Sequence, residues 1–180
     1  MNSRVKIALD RDCIHAVLLG LPNVPGVAAG IFSALSERGV SVDMITQNTM
    51  RGGRSDLSFL LRRDRLEEVI PLCREISARA GAQGVSFATE VAAITVRMEV
   101  RTEARAAEMP RALAKIFSTL ASAGANVEII NSTLSGGNGA QGPFPAESES
   151  PCIWVTVVCI VSLTRAEEGL TALREAFGVC

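Results

Sequence analysis

Few residues in this chain have the type and spacing to do chemistry. The run Asn23-Val24-Pro25-Gly26-Val27-Ala28 follows a short apolar stretch and leads into helical spacing at Val27, Ile31, Ala34 and Leu35. A helix opening there offers free N–H groups and the positive end of its dipole, both suited to an anion. Gly26 lets backbone approach a ligand closely. Asp43 starts the strand expected after that helix and is read as lying near the same helix end, where its carboxylate could hold an ammonium group. Donors for a carboxylate and an acceptor for an ammonium are what a free α-amino acid requires. Plainer roles exist for each: Pro25 as the first helical residue, Gly26 as a turn residue, Asp43 as a solvated strand-end carboxylate and Gln47 as hairpin surface.

Catalytic and metal chemistry find no support. The one histidine, His15, falls in an expected buried strand, with no partner in sequence to orient it as a base. The five cysteines (Cys13, Cys73, Cys152, Cys159 and Cys180) are odd in number and form no CxxC or Cys/His cluster. They read as buried or incidental thiols in a reducing compartment. Gly136, Gly137 and Gly139 sit in a Gly/Ser/Pro stretch, and no GxxxxGK[ST] or GxGxxG phosphate loop exists. No catalytic residue, metal or cofactor is expected. A net charge of −1 with one Trp and six Phe argues against nucleic-acid binding. The longest apolar runs, such as Ile153–Leu163, fall short of the roughly 20 residues that span a bilayer. Asp10, Arg11 and Asp12 stand where a signal peptide would be apolar, so the cytoplasm is the expected location.

An internal repeat organises the chain. At a shift of 85 residues, Pro25 meets Pro110, Ile31-Phe32 meets Ile116-Phe117, Leu35 meets Leu120, Gly39 meets Gly124 and Asp43 meets Glu128. Later, Arg65, Glu67, Glu68, Arg74 and Glu75 meet Arg165, Glu167, Glu168, Arg174 and Glu175 at a shift of 100. The second copy therefore carries 15 extra residues, visible as the Gly/Ser/Pro-rich segment 135–151, expected to be a flexible loop.

Each copy reads as strand, helix, strand, strand, helix. In the first, Ile14–Leu19 is a buried strand, Gly39 a helix C-cap and Val40–Thr46 an alternating strand. Gly52-Gly53 make a turn before the strand Asp56–Leu61. Asp64 with Glu67, and Thr164 with Glu167, have capping-box spacing. Val85–Thr89 closes the first copy. The order is βαββαβ, the ferredoxin-like α+β arrangement of antiparallel sheets with helices on one face. The second copy (Ala92–Val100, Met109–Ala123, Asn126–Leu134, Cys152–Ile160, Arg165–Phe177) lacks a last strand. The segment 3–9 is expected to cross over and complete its sheet, giving domains at 10–90 and 91–180.

With these motifs in register, LGLPNVPGVAAGIFSALSERGVSVDMITQN and RSDLSFLL resemble an ACT domain, and more narrowly the first of the paired ACT domains of aspartate kinases. AAITVRMEV through NVEIINST resembles the second. The second copy departs from the pattern: Pro110-Arg111 replaces the usual Pro-Gly, and the insertion replaces a short hairpin. Arg111 either fills the space of a ligand carboxylate or grips one itself. The resemblance implies a regulatory subunit without a kinase domain, binding an amino-acid effector, lysine or threonine in that family. It places effector contacts on Asn23, Pro25, Gly26, Val27, Ala28, Ser41, Val42, Asp43 and Gln47, with Asn126, Val127 and Ile129 from the partner domain. It also implies pairing into a homodimer and a kinase catalytic subunit as partner. The alternative is a dimerisation scaffold, or an orphan ACT protein, that binds no ligand.

Overall fold

The structure is a computed structural model describing residues 4–100, 105–136 and 153–179. Its chain folds as two units, Asp12–Glu90 and Met1–Arg11 with Val91–Cys180. The expected loop 135–151 lies outside the described residues from position 137 onward.

In the Asp12–Glu90 unit, β2 (Cys13–Pro22), α1 (Val27–Glu37), β3 (Val42–Met50), β4 (Arg54–Arg62), α2 (Leu66–Arg79) and β5 (Gly84–Ala88) follow one another. The sheet order is β3-β4-β2-β5, with every neighbouring pair antiparallel. β4 shows why these residues make a strand. Ser55, Leu57, Phe59 and Leu61 share one face, and the apolar three pack beneath the helices with Ile14, Leu18, Ile31, Leu35 and Ile76. Phe32 of α1 meets Phe59 edge-on, with ring centroids 5.9 Å apart.

The ends of α1 follow glycine chemistry. Gly39 has φ 62; its N–H donates to Ser36 O and Val40 N–H donates to Leu35 O. The expected capping boxes do not form. Residues Arg63–Arg65 make a 3-10 turn, α2 starts at Leu66, and its N-cap has no side-chain hydrogen bond. Arg65 instead bonds Glu68 and donates to Gly39 O (2.6 Å) and Arg38 O (3.2 Å), sealing the carboxyl end of α1. In the second copy Leu163–Arg165 form the same turn, and Thr164 Oγ1 lies 2.9 Å from Ser162 Oγ. A 3-10 turn displaces the cap position past Asp64 and Thr164, so neither side chain reaches the N–H groups it was matched to.

The other unit is built from β1 (Val5–Asp10), β6 (Val91–Val100), α3 (Arg105–Ser122), β7 (Val127–Gly136), β8 (Ile153–Ser162) and α4 (Ala166–Phe177). Its sheet order is β1-β6-β8-β7. β1 pairs antiparallel with β6 from Val5↔Met98 to Asp10↔Ala93. β6 and β8 are central and almost wholly buried, which explains their near-continuous apolar runs. Ile94, Val96, Val157, Cys159, Ile116, Leu120 and Leu173 form the core under α3 and α4. On the opposite face Arg97 is 1% exposed and lies over the Trp154 ring at 4.5 Å.

Candidate functional site

The segment joining β2 to α1 is the most shaped piece of backbone in the Asp12–Glu90 unit. Asn23 N–H donates to Gly53 O at 2.9 Å, tying the segment to the β3–β4 turn. Pro25 precedes the helix cap; it is not the first helical residue. Gly26 is the N-cap, with φ 94 and ψ −20, and no side chain caps the helix. Its left-handed backbone turns the chain abruptly into α1 and leaves the opening N–H groups of Ala28 and Ala29 without carbonyls in the preceding turn. Asn23, Val24, Pro25 and Gly26 are exposed, and a Cβ added at Gly26 would meet nothing within 4 Å. The surface here is open, donor-rich and positively polarised, as a carboxylate requires.

Asp43 does not lie beside this turn. It pairs with Leu60, in the cross-strand row Asp43–Leu60–His15–Ala88, whereas the turn leaves the row Met50–Arg54–Pro22. Six residues of β4 separate the rows, about 20 Å at 3.3 Å per residue. The expectation failed because α1 runs back antiparallel to β2: the start of β3 meets the carboxyl end of α1, not its amino end. Ser41, Val42 and Asp43 stand together there, Ser41 and Asp43 exposed.

Gln47 lies closer to the turn. A bulge between Asp43 and Thr46, with Met44 at φ 49, shifts the strand's parity. Gln47 thereby pairs with Leu57 on the helix-bearing face, and its Nε2 donates to the buried Ser55 Oγ at 3.2 Å. In the other unit Asn126 precedes β7, Val127 opens it, and a bulge separates Val127 from Ile129. These three repeat the start of β3 in the second copy. At the position aligned with the turn, the second copy is helical. α3 begins at Arg105 and runs through Pro110, so Arg111 is an exposed mid-helix residue with no left-handed glycine before it.

His15 is half-buried on the sheet face away from the helices. Its Nε2 lacks a hydrogen-bond partner, and burial holds its pKa below the usual imidazole value. Burial pushes Cys73 up to about 11 and Cys159 to about 12, so neither is a reactive thiolate. Among the described residues no group of three metal-ligating side chains converges, and no helix is long and apolar enough to cross a membrane.

Two residues near the turn escaped the sequence reading. β2 bulges between Leu18 and Leu21, and Gly20 there has φ 60. Its N–H donates to Asp56 Oδ1 at 2.7 Å, and its carbonyl accepts from Arg54 Nη1 at 2.6 Å. The one available signal was Gly20 in an apolar strand, a usual mark of a bulge.

One βαββαβ unit with an uncapped glycine turn before its first helix, and a βαββα unit completed by β1, define a tandem ACT-domain protein of regulatory type. The ACT domain family model matches residues 15–75. The regulatory subunit of aspartate kinase from Thermus thermophilus, in ligand-free form, superposes with a TM-score of 0.70 at 30% identity, over 95% of this chain and 96% of that one. A structure of aspartokinase alpha and beta subunits superposes equally well (0.70) at 25% identity, covering 96% and 97%. The Thermus thermophilus aspartokinase is 30% identical over 95% of this chain, yet the chain spans only 36% of that relative. The chain belongs to the family of aspartate kinase regulatory subunits. Its role is regulatory, and the 180 residues hold no catalytic domain.

Proposed function

We propose that this chain senses a free amino acid, lysine or threonine in the first instance, and passes that state to an aspartate kinase catalytic subunit in the cytoplasm. The observation that carries the reading is Gly26: a left-handed N-cap, exposed, on a helix with no side-chain cap. The effector carboxylate would sit on the Ala28 and Ala29 N–H groups. Its ammonium needs an acceptor that Asp43 of the same copy, about 20 Å away along the strand, cannot supply. A second molecule of this chain would bring its own β3 start, with Ser41, Val42 and Asp43, or the equivalent Asn126, Val127 and Ile129. This makes the homodimer part of the site. Both β3 and β7 are sheet edges, and each exposes an isoleucine at the equivalent position, Ile45 (48%) and Ile130 (50%).

Calorimetric titration with lysine, threonine, methionine and the aromatic amino acids tests the reading. Saturable heat with one of them, lost in Asp43→Ala, is the expected result. No heat and no thermal shift with any of them would overturn it. It would leave the scaffold reading, which the continuous helix through Pro110 already favours for the second copy.

A further inference from the structure

We propose that Arg54 and Asp56 are positioning residues for the effector turn: together they clamp the Gly20 bulge and so fix where the N–H groups of α1 point. The inference rests on the effector-sensing reading above and adds the device that holds the site in shape.

The bulge takes Gly20 out of the ladder between β2 and β4, since the register breaks between Leu18 and Leu21. Both halves of its peptide pairing are taken over by side chains of β4. Asp56 Oδ1 accepts from the Gly20 N–H, and Arg54 Nη1 donates to the Gly20 carbonyl. The same Arg54 nitrogen donates to Gly81 O at 3.1 Å, in the loop after α2. Gln83 N–H donates to Leu19 O at 2.8 Å, so that loop is bound to the bulge from a second side. Glycine suits this position: φ is +60, and an added Cβ would press on the Gln83 side chain.

Three residues beyond Gly20 the turn begins, with Asn23 N–H on Gly53 O. The turn is therefore anchored twice to one β3–β4 hairpin: directly through Gly53, and through the Arg54–Asp56 clamp. A charge-assisted bond to both backbone polar groups of one residue is stiffer than the neutral ladder pair it replaces. Loss of the clamp would leave the core of Leu18, Leu57 and Phe59 in place and release the turn alone. Binding would then meet the added cost of ordering the turn.

The test compares Asp56→Ala, Asp56→Asn and Arg54→Ala with the wild-type chain, and Glu75→Ala as an exposed-charge control. Each is titrated with the amino acid that binds wild type, and melted without ligand. Asp56→Ala and Arg54→Ala should weaken binding about tenfold. Asp56→Asn, whose Oδ1 still accepts from Gly20, should stay within about threefold of wild type, a rescue that a purely electrostatic role would not show. Amide exchange at Asn23, whose N–H is bonded to Gly53 O and to neither side chain, should quicken in both alanine variants while β4 core amides stay protected. Wild-type affinity in the alanine variants, or equal loss in Asp56→Asn and Asp56→Ala, would overturn the proposal. Should wild type bind none of the amino acids, the sensing reading falls. The exchange measurement still decides the clamp: unchanged exchange at Asn23 in both alanine variants refutes it. Should Asp56→Ala fail to fold, Arg54→Ala carries the same comparisons.

Discussion

Replacing Gly26 with alanine should destabilise the Asp12–Glu90 unit, while the same replacement at Gly30 should stabilise it. Both positions are sterically open: an added Cβ meets nothing within 4 Å at either. Only the backbone differs. Gly26 sits at φ 94, where an L-residue is strained by about 1–2 kcal/mol. Gly30 is inside α1, its N–H donating to Gly26 O at 2.9 Å, and alanine there gains up to about 1 kcal/mol in helix propensity. The two variants should thus differ by about 2–3 kcal/mol, or on the order of 10–20 °C in Tm for a unit of this size. Trp154, the sole tryptophan, lies in the other unit, so far-UV circular dichroism and scanning calorimetry are the proper readouts. Gly26→Asn should lose less than Gly26→Ala, because asparagine tolerates the left-handed region. A Gly26→Ala protein melting at or above wild type, or shifts of the same sign in both alanine variants, would refute the reasoning.

Two further outcomes follow from burial. His15 binds its proton less readily folded than unfolded, because its pKa is lowered from 6.5; its contribution is therefore fully present above pH 6.5 and lost as pH falls through that value toward the folded one. His15→Gln should flatten that loss in urea titrations between pH 7 and 5, and an unchanged slope would count against it. Cys13, Cys73 and Cys159 are buried, and the last two are pushed to about 11 and 12. A colorimetric thiol reagent at pH 8 should reach these three only after denaturant is added; rapid reaction in the native protein would contradict the packing described.

The repeat and the alternating apolar patterns carried most of the fold, because each element's period follows directly from the face it buries. Val40–Thr46 and Asp56–Leu61 needed no tertiary knowledge to be read as strands, and both fall largely within β3 and β4. What stayed hidden is geometry that no period encodes. The strand bulges at Gly20 and at Met44 each shift parity by one residue, and nothing local in DMIT signals the second. The distance of Asp43 from the turn is a property of the crossover, in which a helix always returns the chain to the far end of the sheet. The start of α3 at Arg105 shows the converse: aligning Pro110 with Pro25 suggested a helix start, yet Pro110 lies within a helix that begins five residues earlier. The clamp by Arg54 and Asp56 joins residues more than thirty apart, and charge pattern alone does not point to it.

The pairing of β1 with β6 has a consequence for biosynthesis. Val5 must wait for Met98 to leave the ribosome before it finds its partner. At 5–20 residues per second that delay runs from several seconds to about 20 s. The intervening Asp12–Glu90 unit holds all its own strands and can close in the meantime, since His15 and Ala88 near its two ends are direct sheet neighbours. The nascent chain thus carries a finished unit preceded by a half-apolar strand still without its partner. Lys6 and Asp10, interleaved with Val5, Ile7 and Leu9, place charge on that strand and oppose its pairing with another unfinished chain.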